Sequence, residues 1–165
     1  MTVVLLLARL VLVATFAVAG AAKLRGRRSF VEATVALGIR GRFARPLAPL
    51  VPLAELALAA LLVPGATAQA AAIGSLALLA AFTALIGWNL AQGRRPACNC
   101  FGATGDRPIG PRTLVRNGVL LALAALVAVG GGPSPLAWWQ GLAGPWQIAA
   151  PLFALAGLAI AALAT

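Results

Sequence analysis

Five long, continuously apolar runs take up most of this 165-residue chain, each ended by charge, proline or glycine or by the approach of the C-terminus. They cover residues 3–22, 46–63, 67–91, 114–129 and 146–164. A hydrocarbon core of about 30 Å is crossed by about 20 helical residues rising about 1.5 Å each, close to the length of these runs. A membrane β-barrel would instead alternate apolar and polar residues over segments of about ten, and these runs are rich in Ala and Leu without alternation. A composition of 62% hydrophobic and 10% charged residues, with a mean hydropathy of +0.98, excludes a soluble domain. The expected architecture is all-α: a single integral membrane domain over residues 1–165, built as a polytopic membrane helix bundle. Small residues four apart, Ala17 with Ala21 and Ala124 with Ala128, point to close helix contacts.

Thirteen Lys and Arg against three Asp and Glu give a formal charge of +10. In a soluble protein that excess would suggest nucleic acid, but no soluble module remains to present a basic surface, so no nucleic-acid partner is expected. The charge is instead concentrated in two connections. One holds Lys23, Arg25, Arg27, Arg28, Arg40, Arg42 and Arg45; the other holds Arg94, Arg95, Arg107 and Arg112. The connections around 64–66 and 130–145 carry none. Basic loops stay in the cytoplasm, so five spans put the N-terminus outside, both basic connections inside and the C-terminus inside. Trp138, Trp139 and Trp146 then fall at the outer interface. Ala17-Val18-Ala19 fits a signal-peptide cleavage site, but the positive cluster follows the first apolar run and reads as stop-transfer.

The two cysteines of the chain stand one residue apart in the second basic connection, within Cys98-Asn99-Cys100-Phe101-Gly102. A disulfide across one intervening residue closes a small ring that departs from relaxed geometry, which makes it easy to reduce. Such a pair gains almost nothing as a staple and suits exchange. Arg94, Arg95 and Arg107 nearby, with Pro111 as an early position of the following helix, favour thiolate and predict lowered thiol pKa values. Two other readings stand beside this one. Both cysteines can be small buried apolar residues without chemistry. A two-thiolate Cu(I) or Zn site would need ligands from another chain, because the sequence has no His and its single Met is Met1; no metal site is assigned.

Charges also fall inside the apolar runs. Glu55 sits near the middle of the second, where an ionised group calls for a partner, and Arg9 in the first is the natural candidate at an axial offset of about 7 Å. The pair would fix helix packing or serve chemistry directly; a protonated, hydrogen-bonded Glu55 is the other option. Lys23, at the inner end of the first run, is expected to snorkel to the interface. Arg116 and Asn117 open the fourth helix; either could brace the cysteine loop, and Arg116 reads equally as one more inside positive charge.

Ala19-Gly20-Ala21-Ala22-Lys23-Leu24, Phe30, Pro52-Leu53-Ala54-Glu55, Cys98-Asn99-Cys100-Phe101-Gly102 and Arg116-Asn117 together resemble the MauE/DoxX group of small bacterial membrane proteins, specifically the methylamine-utilisation MauE branch. The Cys-x-Cys-Phe-Gly element is the most specific of these. The resemblance implies a four-helix DoxX-like core in the bacterial cytoplasmic (inner) membrane, associated with thiol redox work. It implies a thioredoxin-fold partner that helps form disulfides in a secreted dehydrogenase subunit. A fifth, C-terminal helix at 146–164 would be an addition to that core, and no function carries over to it. The candidate site is Cys98 and Cys100 as the redox pair, supported by Arg94, Arg95, Phe101, Gly102, Arg116 and Asn117, with Arg9, Lys23 and Glu55 as intramembrane charges. Cofactors have no motif, and a quinone is the class of distant electron acceptor open to such a protein. The resemblance favours an outside thiol pair, whereas the loop charges put it inside. A non-enzymatic scaffold for a redox or metallo-enzyme is the competing class, and a small transporter rests on Arg9 and Glu55 alone. The sequence specifies no oligomeric state.

Overall fold

The computed structural model describes residues 2–96 and 108–130, all of its elements helical. They are α1 (Thr2–Arg25), α2 (Arg27–Ala36), α3 (Gly41–Leu61), α4 (Gly65–Ala91) and α5 (Pro111–Gly130). Four of these, all but α2, are long and apolar enough to cross a membrane. The expected helix at 146–164 lies outside the described residues.

The four spans close a ring in which α1 packs on α3 and α5, and α4 packs on α5 and α3. Leu12 and Phe16 of α1, Leu79 of α4 and Leu120 and Val127 of α5 fill its centre, interleaved with small residues such as Ala71, Ala72 and Ala124. The outer face is equally apolar: Val3, Leu7, Val11, Leu50, Leu53, Ile73 and Val119 are all exposed. A surface of that kind is solvated by lipid, so the chain is a multi-pass membrane protein.

Helix ends follow local chemistry more closely than the apolar runs do. Helix α5 starts at Pro111, the early helical position expected of it and three residues ahead of the apolar run at 114, because proline's missing N–H costs nothing in the first turn. Helix α3 starts at Gly41 and runs through Pro46, Pro49 and Pro52. Those prolines leave the carbonyls of Arg42, Arg45 and Ala48 without their usual helical donor, two of them close to the polar end of the helix. The first basic connection was expected as a loop and holds α2 instead. Phe30, Ala33, Thr34 and Leu37 recur at helical spacing, and all four are buried. Gly38 (φ 96°) and Gly93 (φ 70°) end α2 and α4 in the left-handed conformation, each with the paired backbone bonds of a Schellman cap.

Candidate functional site

Antiparallel connections place the first basic segment, α2, and both ends of the cysteine connection at one end of the bundle. Cys98, Cys100, Phe101 and Gly102 lie outside the described residues. The chain on either side is held firmly. Arg94 N–H closes the α4 cap on Asn89, and Ile109 N–H donates to the Pro96 carbonyl over 3.0 Å. Ile109 is itself buried against Leu37 and Ile86. The connection therefore leaves and re-enters the bundle at one point, between α2, α4 and α5. Arg94 and Arg95 are exposed there.

Asn89 fixes that point further. Buried in α4, its amide donates to the Leu37 carbonyl at the end of α2 (3.0 Å) and to Leu85 (2.9 Å). Asn117, buried in α5, donates to Thr83 Oγ1 over 3.2 Å, and Thr83 donates on to the Leu79 carbonyl. Asn117 thus ties α5 to α4. Sequence reading missed Asn89 and Thr83, although a polar residue inside an apolar run was the available signal.

The intramembrane charges sort differently from the expectation. Glu55 is met by Lys23, not by Arg9: Lys23 Nζ donates to Glu55 Oε1 over 2.6 Å, and both residues are at most 4% exposed. Helical side chains lean toward the helix N-terminus, so Lys23, near the C-terminus of α1, is directed back into the bundle and does not snorkel outward. The same lean carries Arg9 away from Glu55. Its guanidinium, buried and at the opposite end of α1, donates to the carbonyls of Leu62 (3.1 and 2.7 Å) and Val63 (3.0 Å). It caps the C-terminus of α3, where the helix dipole favours a cation.

Around Lys23 the cluster is completed by two aromatic faces, Phe30 of α2 and Phe82 of α4, with ring centroids 5.8 and 5.7 Å from Nζ. Arg116 is near enough for its charge to be felt at Lys23. Glu55 Oε2 is buried and accepts no hydrogen bond among the described residues. A carboxylate with one satisfied and one open oxygen, held beside a buried ammonium, can accept a further donor or a proton. Among the described residues no group of three His, Cys, Asp or Glu gathers to hold a metal.

Searches of curated proteins and of solved structures return no match. The family model described as methylamine utilisation protein MauE matches residues 1–130, which takes in all five described helices and the cysteine connection. The Lys23–Glu55 pair, Phe30, Asn117 and the anchored cysteine connection all fall within that span, and the chain belongs to the MauE family.

Proposed function

We propose that this protein is a membrane thiol-disulfide exchanger of the bacterial cytoplasmic membrane, in which Cys98 and Cys100 cycle between dithiol and disulfide. The partner is a thioredoxin-fold protein, and the downstream target is a secreted enzyme of methylamine utilisation or another secreted enzyme. In each exchange a cysteine thiolate attacks the partner disulfide, and its neighbour then resolves the mixed disulfide. Two electrons and two protons pass to the partner, and the chain is left oxidised; the reverse direction oxidises the partner. A quinone is the acceptor class that would re-oxidise the pair in that reverse cycle. The observation carrying this reading is the cysteine connection itself, a reducible Cys-x-Cys pair in a MauE-family chain whose flanks are clamped by the Pro96–Ile109 bond.

The test is trapping. With one cysteine changed, Cys98→Ser or Cys100→Ser, the remaining thiol is expected to accumulate a mixed disulfide that runs as a larger, reductant-sensitive species in membranes. The double variant should insert normally and trap nothing. Equal trapping in the double variant sinks the proposal.

A scaffold that holds a redox or metallo-enzyme at the bilayer is the second reading. It is favoured by the Lys23–Glu55 pair, the Arg9 cap and the Asn89 and Asn117 bonds, each of which has a sufficient role in fixing helices. Full pathway function of the double Ser variant would select it.

A further inference from the structure

The chain that enters the cysteine connection is bonded to the chain that leaves it, and arginines flank that bond on both sides. The Pro96 carbonyl accepts from the Ile109 N–H over 3.0 Å. Arg95 is the neighbour of Pro96, and Arg94 is held one residue earlier by its N–H on the Asn89 carbonyl (2.9 Å). Arg112 stands three residues after Ile109, in the first turn of α5. All three arginines are exposed. Three residues of extended chain span at most about 11 Å, so each backbone lies close to one Debye length, about 10 Å at 0.1 M salt, from the bond. Residues 92–96 and 108–114 hold these three cations and no acid. Of the acids elsewhere, Glu55 is buried, Glu32 lies on α2 and Asp106 is in the connection, outside the described residues.

This cationic root faces water. Trp88, in the last turn of α4, is 67% exposed and marks the level at which an amphipathic ring meets headgroups. The chain has passed that level and the Gly93 cap before it reaches Arg94. We infer that Arg94, Arg95 and Arg112 form a docking collar for a partner whose disulfide is set in an acidic protein surface. This rests on the thiol-exchange reading and adds the partner's chemistry to it. Guanidinium groups pair with carboxylates through two parallel hydrogen bonds, and opposite charge raises the rate of productive encounter. In the step so served, a cysteine thiolate attacks one partner sulfur, forms a mixed disulfide and expels the other sulfur as thiolate. The arginines are positioning residues and touch no reacting atom.

The test uses the purified, reduced full chain in phosphatidylcholine nanodiscs with two aryl disulfides, dianionic dithiobis-nitrobenzoate and neutral dithiodipyridine. Each reacts with one cysteine thiolate to give a mixed disulfide and one aryl thiolate; the second cysteine closes the disulfide and releases another. The anionic-to-neutral rate ratio is expected to fall about tenfold in the combined variant Arg94→Gln, Arg95→Gln and Arg112→Gln, and to return when all three are changed to Lys. Salt of about 1 M, with a Debye length of about 3 Å, should lower the wild-type ratio in the same way. Both rates come from one sample, so the ratio is independent of the fraction folded. An unchanged ratio overturns the inference, including the case in which both rates fall together because the arginines act on the thiols themselves. Equal ratios for wild type and Gln variant in phosphatidylglycerol nanodiscs also overturn it, since headgroups would then occupy the arginines. In cells, mixed disulfide trapped by Cys98→Ser or Cys100→Ser should decrease with the three Gln changes and recover with the three Lys changes. Trapping that ignores the arginines overturns the collar and leaves thiol exchange standing. No trapping with the arginines intact overturns thiol exchange, and the collar with it.

Discussion

At the scale of single residues, the direction in which a helical side chain leaves its backbone decides which charges meet. Lys23 and Arg9 lie fourteen residues apart on α1, both leaning toward its N-terminus. Glu55 therefore receives the cation from the C-terminal side, and Arg9 is left to the carbonyls of Leu62 and Val63. Removing one member of a buried pair leaves an uncompensated charge, a loss of about 3–5 kcal/mol, whereas removing both is often near neutral. Lys23→Met and Glu55→Gln should each lower the melting temperature in detergent by many degrees, and the double variant should recover most of that loss. Additive losses would mean that the two residues do not act as a pair. Arg9→Met should cost about 1–3 kcal/mol, because it strips buried carbonyls of their donors. Adding Glu55→Gln to it should change the cost by no more than Glu55→Gln does alone, whereas strong coupling of Arg9 to Glu55 would contradict the observed pairing.

Between elements, close approach is set by where a side chain is missing. A Cβ at Gly20 would lie 2.9 Å from both the Pro52 carbonyl oxygen and Leu56 Cγ, so the α1 backbone approaches both the backbone and a side chain of α3 one turn from the Lys23–Glu55 pair. Gly20→Ala should force the helices apart, cost about 1–3 kcal/mol and weaken that pair. Gly118→Ala is the control: nothing lies within 4 Å of its added Cβ, and a helical Gly-to-Ala change should be stabilising by about 0.5–1 kcal/mol. Equal melting curves for the two variants would refute the close contact. The four spans were legible in the sequence because apolar length is nearly sufficient to define a membrane helix. Helix α2 was not, since its buried face of Phe30, Ala33, Thr34 and Leu37 is short and flanked by arginines that suggested a loop. The prolines of α3 sit inside the helix because neighbouring helices and a polar end can supply other partners for the groups they leave free. Glu55 and Lys23 were each legible as intramembrane charges, but their partnership depends on the register between α1 and α3, which no local pattern encodes.

For the molecule as a whole, charge is divided between two ends. Arg25, Arg27, Arg28, Arg40, Arg42, Arg45, Arg94, Arg95 and Arg112 are exposed at the end that carries α2 and the base of the cysteine connection. The α3–α4 turn at Pro64 and the end of α5 carry no charged residue. The loop-charge rule predicts one orientation for such a molecule, with the arginine end in the cytoplasm, because arginine translocation is opposed during insertion. Disulfide work on a secreted enzyme pulls the other way, since it would need the thiol pair outside. The two demands are separable by experiment in intact cells. In a background with Cys98→Ser and Cys100→Ser, single reporters Arg28→Cys, Gln92→Cys and Ala66→Cys all fall at exposed positions. A membrane-impermeant maleimide should label Ala66→Cys in intact cells, and the other two only after permeabilisation. The reverse pattern would show the arginine end outside and the charge argument overridden. Labelling of all three in intact cells would contradict the alternating spans themselves, because Arg28 and Gln92 lie at the opposite end of the bundle from Ala66. The orientation so fixed constrains the partner directly: an inside thiol pair meets cytoplasmic thioredoxin-fold proteins, and an outside pair meets those of the secreted compartment.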